Sequence, residues 1–272
     1  MVDVILKIGI NLHTGWPFEE IIEAFVRNGI ERTFVCIEHP QFEMVMDALK
    51  QADIVVDNFH APYEDHNHIW KEGEQGEKVL LRLLSSVDIC VRYNVKLLIV
   101  HASNGTPMPP ITEIGLQRFD KFMAYAKKQG VTVAYESHRF LKNVQCLMER
   151  YPEAGFCLDT GHEDAFTSGL RYMPLWGNRL VATHISDNEC SCGRDMHMLP
   201  FDGHIDFEKT AREIAESCRD VVLMLEVKPS VHNMYANISV DAYYDSASEK
   251  VKKLAEMVES HKCGIEKQQK EG

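Results

Sequence analysis

The sequence predicts a closed (β/α)₈ barrel, an α/β fold in a single domain. Three observations lead there. Short β-branched runs alternate with amphipathic stretches, and eight such runs read as strands. Many of the runs are continuously apolar (IVVDNF, KLLIV, LVATHI, VVLML), the pattern of parallel strands covered by helices on both faces. Six runs end within a few positions of a side chain that can bind a metal: His60, His101, Glu136, Asp159, His184 and Glu226. In a barrel the C-terminal ends of all strands open onto one face, and that face carries the chemistry. An open doubly wound sheet would gather its site at one switch point instead.

The first strand is expected at Ile5–Ile10, followed by an amphipathic helix over Phe18–Asn28. Strand Thr33–Ile37 leads to helix Gln41–Ala52, strand Ile54–His60 to helix Glu77–Tyr93, and strand Lys96–His101 to helix Thr112–Gln129. Strand Val131–Glu136 is followed by helix Lys142–Arg150. Strands Gly155–Asp159 and Leu180–Ser186 come next, then helix Phe207–Cys218, to which Asp206 offers a cap. Strand Val221–Val227 completes the set, and helix Asp241–His261 closes the chain. The longer connections, Ala61–Gly76, Ala102–Ile111 and Asp187–Ile205, all follow strands, where a barrel grows its substrate-binding loops. No Pro- or Gly-rich linker interrupts the pattern. Residues 1–262 therefore read as one barrel domain, and 263–272, ending IEKQQKEG, as a polar tail expected to fray.

The 272 residues suit one large α/β domain, and 45% apolar residues suffice for a full core. With 29 basic against 41 acidic residues the net charge is −12, which repels nucleic acid and anionic membrane. The segment MVDVILKIGINLHTG is interrupted by Asp3 and Lys7 and does not read as a signal peptide. No stretch approaches the roughly 18 consecutive apolar residues of a membrane span. The eight cysteines are scattered without a CxxC pair. Cys190 and Cys192 form a CxC, too short for zinc-knuckle spacing. All eight are expected as reduced thiols of a cytoplasmic protein.

Glu136, Asp159, His184 and Glu226 end four successive strands. Three carboxylates and an imidazole suit a hard to borderline cation such as Mn²⁺, Co²⁺ or Mg²⁺, with Zn²⁺ also admitted. Any one of them alone would read as a hydrogen-bonded strand end; four in succession converge on one point. His162, in LDTGH, is expected to face the same cavity, with Asp159 or Thr160 capping the next helix. Asp187, in THISDN, could orient an imidazole. Arg194 could fix a substrate hydroxyl or phosphate, and Arg139 is the other candidate for a phosphate. His60 and His101, with Glu136, would form a second site beside the first. His66, His68, Trp16, Tyr63, Phe166 and Trp176 are candidates for the pocket wall, although aromatics at such spacing are usually core. Phosphate-cradling glycine motifs, a nucleophile elbow and HExxH are absent. Lys228 sits two residues past Glu226 and has little to mark it as a Schiff-base lysine.

The segments FHAPY, VHASNG, YESH, LDTGHEDAF, THISDN, RDMHMLP…GHIDF and LEVKP run in order from residue 60 to 229. They resemble the xylose-isomerase-like barrel superfamily, in particular its sugar phosphate isomerase/epimerase group, to which endonuclease IV is related. The resemblance implies a single Mn²⁺ or Co²⁺ held by Glu136, Asp159, His184 and Glu226, with the two glutamates as the acid/base pair. It puts His162 and Arg194 against the substrate, with His60 and His101 beside them. In endonuclease IV three zinc ions are held by a larger set, which falls here on His60, His101, Glu136, Asp159, His162, His184, Asp195, His197 and Glu226. The count of divalent ions (Mn²⁺, Co²⁺ or Zn²⁺) thus runs from one to three. Two departures bear on specificity: Ser-His-Arg-Phe after Glu136 lacks a second acidic residue some epimerases have, and Pro200–Gly203 stands where a Gly-rich turn is common. The family likeness also suggests a homo-oligomer.

The expected function is a metal-dependent isomerase or epimerase of a small keto-sugar or polyol-derived substrate, free or phosphorylated. It would act by proton abstraction and a metal-stabilised enediolate, one glutamate taking the proton and the other returning it. Three other readings compete. A dehydratase of a keto-polyol would begin with the same abstraction. A zinc phosphodiesterase on abasic DNA is disfavoured by Glu64, Asp65, Glu72 and Glu74 in the loop Ala61–Gly76, against Lys71 alone. A non-catalytic metal- or sugar-binding barrel would keep the ligands without turnover.

Overall fold

The computed structural model describes residues 6–271, with side chains through Gly264. Ile5, at the start of the expected first strand, lies outside the described residues. Eight parallel strands alternate with helices: β1 (Ile8–Ile10), β2 (Arg32–Cys36), β3 (Val55–His60), β4 (Leu97–Val100), β5 (Thr132–Glu136), β6 (Gly155–Asp159), β7 (Leu180–His184) and β8 (Leu223–Leu225). Strands β2 to β7 form one curled sheet in sequence order, and β1 pairs with β8, Ile8 opposite Leu223. Beyond β7 the chain bridges Ile185 to Leu225 and brings the two sheets edge to edge. The fold is the α/β barrel.

Outside the strands lie α1 (Phe18–Asn28), α2 (Phe42–Gln51), α3 (Glu74–Tyr93), α4 (Glu113–Gln129), α5 (Leu141–Arg150), α6 (Thr160–Phe166), α7 (Met173–Trp176), α8 (Phe207–Glu216) and α9 (Val240–Glu271). Each presents an apolar stripe to the sheet; α1 buries Phe18, Ile21, Ile22, Ala24 and Phe25. Thr112 caps α4 by accepting from Gly115 N–H at 3.2 Å. Asp206 caps α8 as expected, accepting from Lys209 N–H at 3.0 Å. The helix expected to stop at His261 continues to Glu271, so the segment read as a fraying tail extends α9. Among the described residues no helix is long and apolar enough to cross a membrane.

One expectation is corrected. Cys190 and Cys192 form a disulfide rather than two thiols, with Cα atoms 5.3 Å apart. Cys192 N–H donates to Cys190 O at 2.8 Å, and Gly193 turns left-handed at φ 76°. The backbone thus folds back on itself, so side chains two residues apart meet. The other six cysteines are free.

Behind the site, α6 and α7 are tied by Glu163. Its carboxylate accepts from Tyr172 N–H at 2.8 Å and lies 3.2 Å from Arg171, which also pairs with Glu213. Burial pushes the Glu163 carboxyl up to about 7, despite the opposing pull of Arg171. The folded protein therefore holds this proton between about pH 4.5 and 7, where the unfolded chain releases it. The stability that Glu163 contributes is fully present below that window and is lost as pH rises through 7. Glu163→Gln removes the titration, so the thermal midpoint of the variant should fall less than that of the wild type between pH 5 and 8. Calorimetric scans across that range check it, and identical slopes would contradict it.

Candidate active site

The strand ends are fastened to one another by side chains, and the fastenings position the candidate ligands. Ser137, just past Glu136, accepts from Asp159 N–H at 2.7 Å and donates to Asp159 O at 3.1 Å, joining the ends of β5 and β6. Thr160 does the same between β6 and β7, accepting from Ser186 N–H at 3.0 Å and donating to Ser186 O at 2.7 Å. Asn11 clasps the end of β1 to Val227 with two bonds, 3.1 and 2.8 Å. Each clasp satisfies buried backbone groups beyond the last ladder bond.

At this end Glu136, Asp159, His184 and Glu226 come together, with one ligand atom from each lying within 4.8 Å of the others. His184 Nδ1 stands 2.7 Å from Glu136 Oε1 and 3.3 Å from Glu226 Oε2, and its ring stacks on Phe34 with centroids 4.5 Å apart. Asp159 divides its carboxylate. Oδ1 caps α6 by accepting from His162 N–H at 2.7 Å, while Oδ2 is buried without a hydrogen-bond partner among the described residues. Burial and the neighbouring Glu136, Asp195 and Glu226 push the Asp159 carboxyl well above the usual carboxylate range. Burial opposes charge on Glu136 and Glu226 too, but His184 holds both well below it, helped by His101 at Glu136 and by His197 and Lys228 at Glu226. His184 in turn is held well above the usual imidazole range by Cys157, Glu136 and Glu226, against the effect of burial.

A second group adjoins the first. His60 Nε2 and His101 Nε2 lie 3.2 and 2.7 Å from Glu136 Oε2, and the three form a cluster of ligand spacing. His60 Nδ1–H donates to Ala61 O at 2.8 Å, so in the neutral ring the Nε2 lone pair faces the carboxylate. Asp195 Oδ2, also buried and unpartnered, lies 3.0 Å from His197 Nε2 and 3.5 Å from His162 Nε2. Acceptors facing acceptors at these distances fit a cation between them. Carboxylates and imidazoles together suit a hard to borderline divalent ion. Cys157 also reaches Glu136 and His184, and burial pushes its thiol up to about 11.

Above the quartet opens a cavity of about 160 Å³. His60, His101, His162, Asp195, His197 and Glu226 line it, as the sequence suggested, and so do Tyr63 and Phe166. Arg139, the other candidate for a phosphate, lines it too, and the remaining wall was not anticipated: His138, Asn104, Gly105 and Lys228. His138 packs between His101 and His162, with ring centroids 4.6 and 4.5 Å away, and burial keeps it well below the usual imidazole range, hence neutral. Its signal in the sequence was its place two residues past Glu136.

Other candidates stand elsewhere. Arg194 is exposed outside the cavity and reaches Val231 O at 3.4 Å, because the CxC turn before it carries the chain outward. Among the described residues Asp187 makes no hydrogen bond to an imidazole. Its carboxylate accepts the N–H groups of Asn188, Gly203 and Ile205 at 2.8, 2.8 and 3.0 Å and shapes the loop after β7. That loop also approaches Gly203 closely, where a Cβ would meet Asn188 O at 2.1 Å. Trp176 packs on Phe156 and Tyr172, and Trp16 on His13 and Tyr243. His66 is fully buried near Phe119, and His68 lies in the short 3₁₀ turn His66–Trp70, outside the cavity wall.

A family model described as "Xylose isomerase-like TIM barrel" matches residues 20–240. The chain belongs to this family. Among curated proteins it is similar to the uncharacterized protein y4fM of Sinorhizobium fredii, 32% identical over 151 residues, which cover 52% of this chain and 47% of that one. The match thus spans about half the length of that relative. Among solved structures, a xylose isomerase domain protein from Alicyclobacillus acidocaldarius superposes with TM-score 0.73 at 16% identity, over 93% of this chain and 99% of that one. An L-ribulose 3-epimerase gives 0.72 at 12% identity, over 96% and 97%. A D-allulose 3-epimerase from Methylomonas sp. gives 0.70 at 14% identity, over 92% and 98%. At these identities the superpositions establish the shared barrel of the xylose isomerase-like family.

Proposed function

We propose that the chain is a divalent-metal-dependent isomerase or epimerase of a small hydroxyketone, a keto-sugar or a polyol-derived compound. The observation that carries this reading is the buried quartet of Glu136, Asp159, His184 and Glu226, two of whose members are glutamates on different strands. The epimerases among the structural neighbours support it. Mn²⁺, Co²⁺ or Zn²⁺ suits the quartet. A divalent cation held there supplies Lewis acidity, which makes the C–H beside a substrate carbonyl easier to deprotonate.

The residues of the chain do the rest. Glu226, at the cavity wall, takes the proton as a carboxylate. Glu136, buried beneath and turned toward His60, His101 and His184, is the second carboxylate and returns a proton passed to it by one of those imidazoles. Two carboxylates on opposite sides of a flat enediolate are what inversion requires. His162 and neutral His138 line the wall where substrate hydroxyls would lie. The small cavity suits a sugar or sugar phosphate and excludes most of a polymer. Six free cysteines favour a cytoplasmic protein, and the Cys190–Cys192 disulfide opposes it.

The test is a panel of ketoses incubated in D₂O with metal-loaded protein and followed by proton NMR. Uptake of deuterium next to the carbonyl, abolished by a chelator, is the expected result. Loss of water from the substrate would move the reading to dehydration, and binding without exchange to a non-catalytic barrel. One observation favours a second reading: all nine positions that the resemblance maps to zinc ligands in endonuclease IV lie in the quartet or around its cavity. The acidic loop after β3 opposes DNA, and incision of an abasic duplex by catalytic amounts of protein would reverse that judgement.

A further inference from the structure

The proposed substrate class can be narrowed through two cations the cavity holds. Arg139 lines it, with its guanidinium carbon 3.7 Å from the Phe166 ring centroid. Its Nε is buried with no hydrogen-bond partner among the described residues. By contrast Arg32, Arg92, Arg118, Arg150 and Arg171 each pair with a carboxylate, and Arg179 binds three backbone carbonyls. Lys228, also in the wall, donates to His197 Nε2 at 3.2 Å and stands in no ion pair among the described residues. An ammonium has three donors, so two are left over. Lys228 shares its surroundings with the carboxylates of Glu226 and Asp195 in the same wall, whereas Arg139 stands in no ion pair among the described residues.

The two are joined by a continuous wall. Arg139 lies over Phe166, whose ring centroid is 5.7 Å from that of His162. His162 adjoins Asp195, Asp195 adjoins His197, and His197 meets Lys228. Stacking on Phe166 fixes the plane of the guanidinium and leaves its N–H edges free, the geometry that grips a carboxylate or phosphate with two parallel bonds.

We propose that the substrate is an oxyanion-terminated hydroxyketone: its hydroxycarbonyl end lies at the quartet and its carboxylate or phosphate is held by Arg139. This rests on the isomerase reading of the site. Arg139 is a positioning and specificity residue.

Calorimetric titration of metal-loaded protein tests it with compounds that share one hydroxyketone end: dihydroxyacetone, dihydroxyacetone phosphate and hydroxypyruvate, plus D-ribulose and D-ribulose 5-phosphate for longer reach. Anionic members should bind tighter than neutral ones by about tenfold or more, the size of one charge-assisted hydrogen bond. Whether carboxylate or phosphate gains more identifies the natural group. Arg139→Gln should abolish the gap between charged and neutral compounds, and Arg139→Lys should restore part of it. Equal affinity for neutral and charged members, or a gap unaltered in Arg139→Gln, overturns the proposal. Deuterium exchange on the same compounds is a separate readout: anion preference without exchange sinks the isomerase reading alone, and exchange without anion preference sinks this one alone.

Discussion

In D₂O the Glu226→Gln variant is expected to exchange substrate hydrogen about 10³-fold more slowly than the wild type, the usual weight of a lost general base, while melting at nearly the same temperature. Glutamine keeps the shape of glutamate and can still offer an oxygen to a cation, but it cannot accept a proton. The backbone around it does not depend on the charge: Glu226 N–H donates to Ile185 O at 3.0 Å, and Glu226 O lies 3.2 Å from His197 Nδ1. The side chain keeps access to the cavity at 9% exposure, whereas Glu136 is fully covered. Far-UV circular dichroism and NMR-detected exchange on the same sample separate a lost base from a lost fold. Undiminished exchange would remove Glu226 from the mechanism.

The second large effect is expected from Glu136→Gln, and it falls on metal content and stability. Glu136 faces His184 and His101 at 2.7 Å and His60 at 3.2 Å. Its charge is what lets those imidazoles share one buried volume. Removing one partner of a buried charged network typically costs about 3–5 kcal/mol, so the variant should melt well below the wild type. Elemental mass spectrometry on the folded, tag-free proteins should give near one equivalent of Mn or Co for the wild type and a small fraction of that for the variant. Two to three equivalents of zinc in the wild type would bring His60, His101, His162, Asp195 and His197 in as ligands. Metal retained at wild-type level by Glu136→Gln would displace Glu136 from the ligand set.

The strands and the ends that carry the quartet were legible because one physical signal marks them: a run buried on both faces stops at its first polar residue. That signal located β6 at Gly155–Asp159 and α1 at Phe18–Asn28 with the bounds observed. It set the limits of β8 too wide, at Val221–Val227 against the observed Leu223–Leu225. Helix α7 was missed, and α6 was foreseen only as a helix for Asp159 or Thr160 to cap, without bounds: at four and seven residues they are too short to show a period, and LDTGH reads equally well as a turn. What the loops do was not legible. Asp187 was read as a partner for an imidazole and instead binds three backbone N–H groups; Arg194 was read inward and points out; Cys190 and Cys192 were read as thiols and are joined. Arg139, read as a candidate phosphate contact, does face the cavity, while Lys228 was passed over. In each case the direction of a side chain follows from how a loop closes on distant residues, and no local periodicity encodes that.

Asp159 serves two structures with one side chain, and this links the two. One oxygen begins helix α6 and the other completes the quartet, so the first turn of that helix, with His162 on it, is built from the same atom group that would hold a cation. A change at this position cannot be purely catalytic or purely architectural. Asparagine preserves the helix start and surrenders the charge; alanine surrenders both. The cavity wall and the candidate ligands beneath it therefore assemble as one unit, and a chain in which α6 unravels has also opened the quartet.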